Sequence, residues 1–116
     1  MLRLPPVTEK TSPEVAAVFA EIRATRGFVS NALGALGHAP EGLTHLARLG
    51  AYVKFQTDLP QRLRELSILC AARGVAYAWT HHSALAVQAG IPQSAVDDIN
   101  AGRTPAALAA PEQAIA

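Results

Sequence analysis

Four ring-bearing side chains crowd into the segment Tyr77-Ala-Trp79-Thr-His81-His82, and a carboxylate, Glu65, stands upstream in Leu63-Arg64-Glu65-Leu66. The whole chain holds only 4 His, 2 Tyr and 1 Trp, so this concentration marks the segment out. A carboxylate that orients an imidazole is the minimum equipment for moving a proton near neutral pH. Glu65 and His82 are therefore the candidate catalytic pair. Tyr77 could donate to a substrate oxygen, Trp79 could wall a pocket, and His81 stands beside both.

Helical spacing sorts these groups onto faces. Tyr77 and His81 are related as i, i+4, and Trp79 and His82 as i, i+3, so each couple shares a face. Arg73-Gly74-Val75-Ala76 is a short connector, which predicts antiparallel helices on either side of it and lets Glu65 approach His82. Ile68, Leu69 and Ala72 follow Glu65 at i+3, i+4 and i+7, so its face is at least partly buried. The same residues also admit structural roles. Glu65 could form a salt bridge to Arg62, Arg64 or a partner subunit. Trp79 could be core or interface, and His81 could be no more than the neighbour of His82. No metal site is expected, because adjacent histidines project about 100° apart on a helix and no i, i+4 pair of ligands exists. His38 and His45 lie in other segments without evident partners. Cys70 falls on an apolar stripe and reads as a small buried hydrophobe.

Composition narrows the classes. Of the 116 residues, 50% are hydrophobic and 16% charged, with a formal net charge of +1. So low a charge content suggests apolar surface covered by another subunit. The absence of a basic run argues against nucleic acid, whose phosphates demand one. The apolar runs are too short to span a membrane. Met1-Leu-Arg-Leu-Pro-Pro lacks the apolar core of a signal peptide, so the expected location is cytoplasmic. One cysteine allows neither an internal disulfide nor a Cys-x-x-Cys pair.

The elements that must position these groups read as all-α, with six or seven helices in a single domain over 1–116. Residues 1–12 form an extended arm, since Pro5-Pro6 cannot lie inside a helix. Thr11 to Glu14 has capping-box spacing, with Pro13 at the start of a helix that buries Val15, Val18, Phe19 and Ile22 and stops at Gly27. A brief helix follows from Asn31 to Leu36. Pro40 opens another, with Leu43, Leu46, Leu49 (or Gly50) and Val53 facing inward. Gly50 there is expected to let a neighbouring helix approach. Pro60 opens the Glu65 helix, whose stripe is Leu63, Leu66, Leu69 and Cys70 and whose end is Gly74. The His82 helix runs from about Tyr77 to Ala89 and closes at Gly90. A shorter one holds Val96 and Ile99 and ends at Gly102. Residues 104–116 are weakly patterned, either a last helix or a frayed tail.

Several of these segments together resemble the carboxymuconolactone decarboxylase-like family, in the superfamily that also holds alkylhydroperoxidase D. They are Met1-Leu-Arg-Leu-Pro-Pro, Arg26-Gly-Phe-Val-Ser-Asn31, Leu63-Arg-Glu-Leu66 and, most specifically, Tyr77-Ala-Trp79-Thr-His81-His82 followed by Ala89-Gly90-Ile91-Pro92. The resemblance implies an all-α bundle around an antiparallel helix pair, assembled into trimers or hexamers. It also implies a pocket built from Glu65 and His82 near a subunit interface, with no metal or organic cofactor. In the peroxidase branch two cysteines do the redox work; counted back from His82, Val75 and Ala78 stand in their places here. The Tyr-x-Trp pattern is closer to the decarboxylases, where a histidine-type acid protonates the carbanion left as carbon dioxide departs. Arg64 and Arg73, with Arg103, are the candidates for holding a substrate anion.

Three functions follow as expectations. The first is a cofactor-independent lyase or isomerase of small carboxylated lactones, acting by Glu/His proton transfer. The second is an alkylhydroperoxidase-like antioxidant using Cys70 or no thiol. The third is a non-catalytic oligomeric binding protein of the same fold.

Overall fold

Ser12 caps the first helix, one residue after the expected Thr11. Its hydroxyl accepts the Val15 N–H at 3.2 Å, and Pro13 follows in the first turn. The computed structural model describes residues 3–116, and its regular structure is entirely helical. The elements are α1 (Pro13–Arg26), α2 (Asn31–Ala35), a 3-10 turn (Leu36–His38), α3 (Pro40–Ala51), a π-helical turn (Tyr52–Gln56), α4 (Gln61–Ala72), α5 (Ala76–Gln88), α6 (Gln93–Asn100) and α7 (Ala110–Gln113). They fall into two compact units, Met1–Thr57 and Asp58–Ala116.

In the first unit, α1 buries Val15, Val18, Phe19 and Ile22, the stripe its spacing predicts. Leu43 and Ala47 of α3 complete that core, with Val7, Val29 and Leu33 packed on its edge. The start of the expected arm, Met1 and Leu2, lies outside the described residues. Residues 3–12 form no helix. They are tied down, because His38 Nε2 donates to the Pro5 carbonyl at 2.9 Å and Val7 fills the space left by Gly37. His38 thus has a partner that sequence spacing did not reveal.

The inward face of α3 differs from expectation. Leu43, Ala47 and Ala51 are buried at i, i+4, i+8, whereas Leu46 and Leu49 are 48% and 60% exposed and Val53 beyond them is 47% exposed. The helix carries two apolar stripes, and the one with the small residues is buried where α3 packs on α1. Small side chains let two helix backbones come close, so residue size rather than hydrophobicity chose the face. Gly50 makes room for a side chain instead of a helix: a Cβ there would meet Arg26 Nη2. The Arg26 guanidinium also lies 5.8 Å from the Phe55 ring centre, with Lys54 Nζ at 5.9 Å from the same ring, both within cation–π range.

The second unit is built on α4 and α5. Leu66 and Leu69 of α4, Ala86 of α5, Ile91, then Ala95, Val96 and Ile99 of α6 and Leu108 form its core. Leu63 and Cys70, expected in the stripe, lie at its half-buried margin. The connection is Arg73-Gly74-Val75, and Gly74 adopts φ +82°, a left-handed conformation that suits a residue without a Cβ. Residues 104–116 are anchored rather than frayed. Pro105 and Leu108 are buried, and Glu112 on α7 receives Arg62 through Nε at 2.6 Å and Nη2 at 3.2 Å. Arg62 also donates to the Gly90 carbonyl, so one guanidinium joins α4, the α5–α6 turn and α7.

The Arg62 guanidinium holds the Glu112 carboxyl below the usual carboxylate range. A depressed folded-state value means that the interaction is fully present above the ordinary range and is lost as pH falls through the depressed value. Glu112→Gln should therefore melt at a lower temperature than the wild type at neutral pH. The gap should close on acidification, as read by thermal denaturation across pH. A gap that persists unchanged in acid would show that the Arg62–Glu112 ion pair is not its source.

Candidate active site

Glu65 and His82 reach each other because of their positions on the helix pair. Glu65 lies nine residues before Gly74 and His82 eight residues after it. At 1.5 Å of rise per residue they stand at nearly the same height on α4 and α5. Glu65 follows Arg64 and precedes the fully buried Leu66, and it is itself only 1% exposed. A buried carboxylate needs hydrogen-bond donors, since its desolvation is otherwise costly. His82 supplies one: its Nδ1 lies 3.2 Å from Glu65 Oε2. The His82 side chain keeps 20% of its exposure. The imidazole therefore bridges a buried acid and solvent.

This geometry suits the tautomer that carries its proton on Nδ1. With Nδ1–H donating to the carboxylate, the neutral ring carries its free lone pair on Nε2. That nitrogen can accept a proton and return it, while Glu65 stabilises the imidazolium formed in between. His81 adds a second ring. Its centroid is 5.0 Å from that of His82, and the two planes meet at 84°.

The other candidates separate from this pair. Trp79 is partly buried and packs against the Leu66–Leu69 core. Tyr77 is 54% exposed. It occupies the outward face of α5 with the exposed His81, as their i, i+4 relation predicts. Arg62, one of the partners considered for Glu65, pairs with Glu112. Arg64 Nη1 donates to the Leu59 carbonyl at 3.3 Å, and its Nε is buried without a hydrogen-bond partner. Arg73 lies eight residues beyond Glu65, about 12 Å further along the α4 direction. Its guanidinium rests on Gly102, where no side chain intervenes. Arg103 is paired with Asp98 at 2.7 Å. Of the proposed anion-binding residues, only Arg64 is next to the pair in sequence, and on a helix its side chain projects about 100° away from that of Glu65.

Cys70 is half-buried against the same core, and burial pushes its thiol above the ordinary value. Among the described residues, no three His, Cys, Asp or Glu side chains gather in a group that could hold a metal ion. No helix among them is long and apolar enough to cross a membrane.

A concavity unforeseen in the sequence lies in the first unit between α1 and α3. It has a volume of about 440 Å³ and is lined by Glu14, Glu21, Glu41, Thr44 and Arg48 among others. Arg48 grips Glu21 at 2.6 and 3.1 Å and holds its carboxyl below the usual range. No spacing rule marks these residues, which come from two helices and look like ordinary exposed charges in the sequence.

Comparison of the chain with protein-family models, with curated proteins and with solved structures finds no match.

Proposed function

We propose that the chain is a cofactor-independent lyase or isomerase of small carboxylated lactones or related carboxylates, with Glu65 and His82 as its proton-transfer pair. The observation that carries this reading is the 3.2 Å contact between His82 Nδ1 and the buried Glu65 carboxylate. Leu63–Leu66 and Tyr77–His82, the segments that hold this pair, are also those that resemble the carboxymuconolactone decarboxylase-like family. On this reading the protein works as a trimer or hexamer in the cytoplasm, and the reaction uses no metal or organic cofactor.

In the lyase form, the bond between the carboxylate carbon and its neighbour breaks and carbon dioxide leaves. The electron pair stays on the neighbouring carbon. The His82 imidazolium delivers the Nε2 proton to that carbon and becomes neutral, and water restores the proton. In the isomerase form, neutral His82 first takes a proton from carbon and then returns it to another position. In both, Glu65 keeps Nδ1–H engaged and offsets the ring's positive charge. Turnover of a panel of small carboxylated lactones in deuterium oxide tests this. One solvent deuteron should appear at the reacting carbon, and absence of turnover across the panel would count against the lyase and isomerase reading.

The alkylhydroperoxidase-like alternative needs a reactive thiolate. Burial that raises the Cys70 thiol reduces the thiolate fraction at neutral pH, and no second cysteine is present to resolve a sulfenic acid. Dilute peroxide should leave the intact mass of the chain unchanged over the time in which a free thiol control is oxidised. Rapid addition of oxygen at Cys70 would favour the antioxidant reading. A non-catalytic oligomeric binding role is the remaining alternative.

A further inference from the structure

We propose that the outward stripe of α3 is a two-fold contact with a second copy of this chain, a surface that does not depend on the Glu65–His82 reading. Leu46, Leu49 and Val53 are the apolar side chains that the packing of α3 on α1 leaves outside, and each is about half exposed. Arg48 is the only Lys, Arg, Asp or Glu between Glu41 and Lys54, and its pair with Glu21 turns it toward α1. The stripe therefore carries no charge that would keep it in water. With Tyr52 on its flank, also about half exposed, it offers roughly 400 Å² of mostly apolar surface. A stable interface takes about 800 Å² from each partner, of which about two thirds is apolar between identical chains. One such face thus supplies most of the apolar share.

The spacing selects the occupant. Gly42, Leu46, Leu49 and Val53 follow one another at intervals of 4, 3 and 4 residues, the repeat that keeps a seam on one side of a helix. That order reads the same in both directions. A second α3 running the opposite way meets it in register about an axis between Ala47 and Arg48. Leu46 of each copy then faces Leu49 of the other. Val53 of each lies over Gly42 of the other, where the helix surface has no side chain and a Cβ would meet only Ala39. A contact in which i meets j and j meets i is what a two-fold dimer requires. A reversible spacing is needed for pairing with an identical helix and for no other partner. The contact also makes the number of chains even, which selects the hexamer over the trimer.

Sedimentation velocity of the full chain at micromolar concentration tests this. Wild type should run as an even-numbered assembly. Leu46→Glu and Leu49→Lys, each alone, should halve its mass, because each sets a charge against a leucine across the axis. Mixed in equal amounts, the two variants should regain the wild-type mass. The new carboxylate then faces the new ammonium on one side of the axis, and the native leucines meet on the other. Circular dichroism should show unchanged helix content in both, since the substituted positions are exposed. A monomeric wild type, which would give the face to a different partner, overturns the proposal, as does an odd-numbered one. So does wild-type mass in either variant alone, or failure of the mixture to reassociate. Loss of helix in the variants also overturns it, by placing the stripe in the core of a single chain. None of these outcomes touches the Glu65–His82 pair.

Discussion

His82→Ala should reduce turnover of a confirmed substrate by roughly 10²- to 10⁴-fold, the range that a positioned general acid or base contributes. The fold should survive, because His82 lies outside the buried core. The variant removes a hydrogen-bond donor from the buried Glu65, and hydrogen bonds to charged groups are worth about 1.5–3 kcal/mol. Its melting temperature should therefore fall by roughly 6–12 °C without loss of cooperativity. Assays well below both melting points separate the two effects. Glu65→Gln should lower turnover by a smaller factor, since the amide oxygen can still accept from Nδ1–H but carries no charge to stabilise the imidazolium. Wild-type turnover in His82→Ala would remove the pair from the mechanism.

The largest effect on stability is expected from Leu66→Ala. Leu66 is 0% exposed and adjoins Glu65 in the core beneath α4 and α5. Truncating a buried leucine costs about 2–5 kcal/mol, through lost transfer free energy and the cavity left behind. That is a large share of the roughly 5–15 kcal/mol by which domains are stable. Trp79 is the only tryptophan and packs against this same cluster, so its fluorescence follows the unfolding of 58–116 directly. The urea midpoint should drop sharply, whereas Ser67→Ala, at an exposed position one residue on, should change stability by no more than about 0.5 kcal/mol. A loss below about 1 kcal/mol for Leu66→Ala would mean that this core is not packed as described.

Much of this arrangement is legible in the sequence, and the exceptions have physical reasons. Pro13, Pro40 and Pro60 mark helix starts, and Gly27, Gly74, Gly90 and Gly102 mark helix ends. Both rest on local backbone geometry, which needs no tertiary information. The approach of Glu65 to His82 follows from a short connector and helical rise. The inward face of α3 does not follow, because Leu46, Leu49 and Val53 make as good an apolar stripe as Leu43, Ala47 and Ala51. Only the partner helix decides between them. The π-helical turn at Tyr52–Gln56 has no signal in a pattern that assumes 3.6 residues per turn. The edge-to-face contact of His81 with His82 depends on side-chain rotamers, which spacing does not encode. The Arg62–Glu112 pair joins residues 50 apart, so no local rule connects them.

The three-residue connection at Arg73-Gly74-Val75 makes the site unequally tolerant of changes in chain length. An extra residue in that exposed turn can bulge outward and leave the helices on either side in register. The same insertion between Ala76 and His82 would turn the imidazole by about 100° and carry it off the Glu65 face. Length is therefore free to drift at the tip of the hairpin but not along its arms. A chain diverging from this one could lose most recognisable spacing between its acid and its histidine while keeping the two in contact.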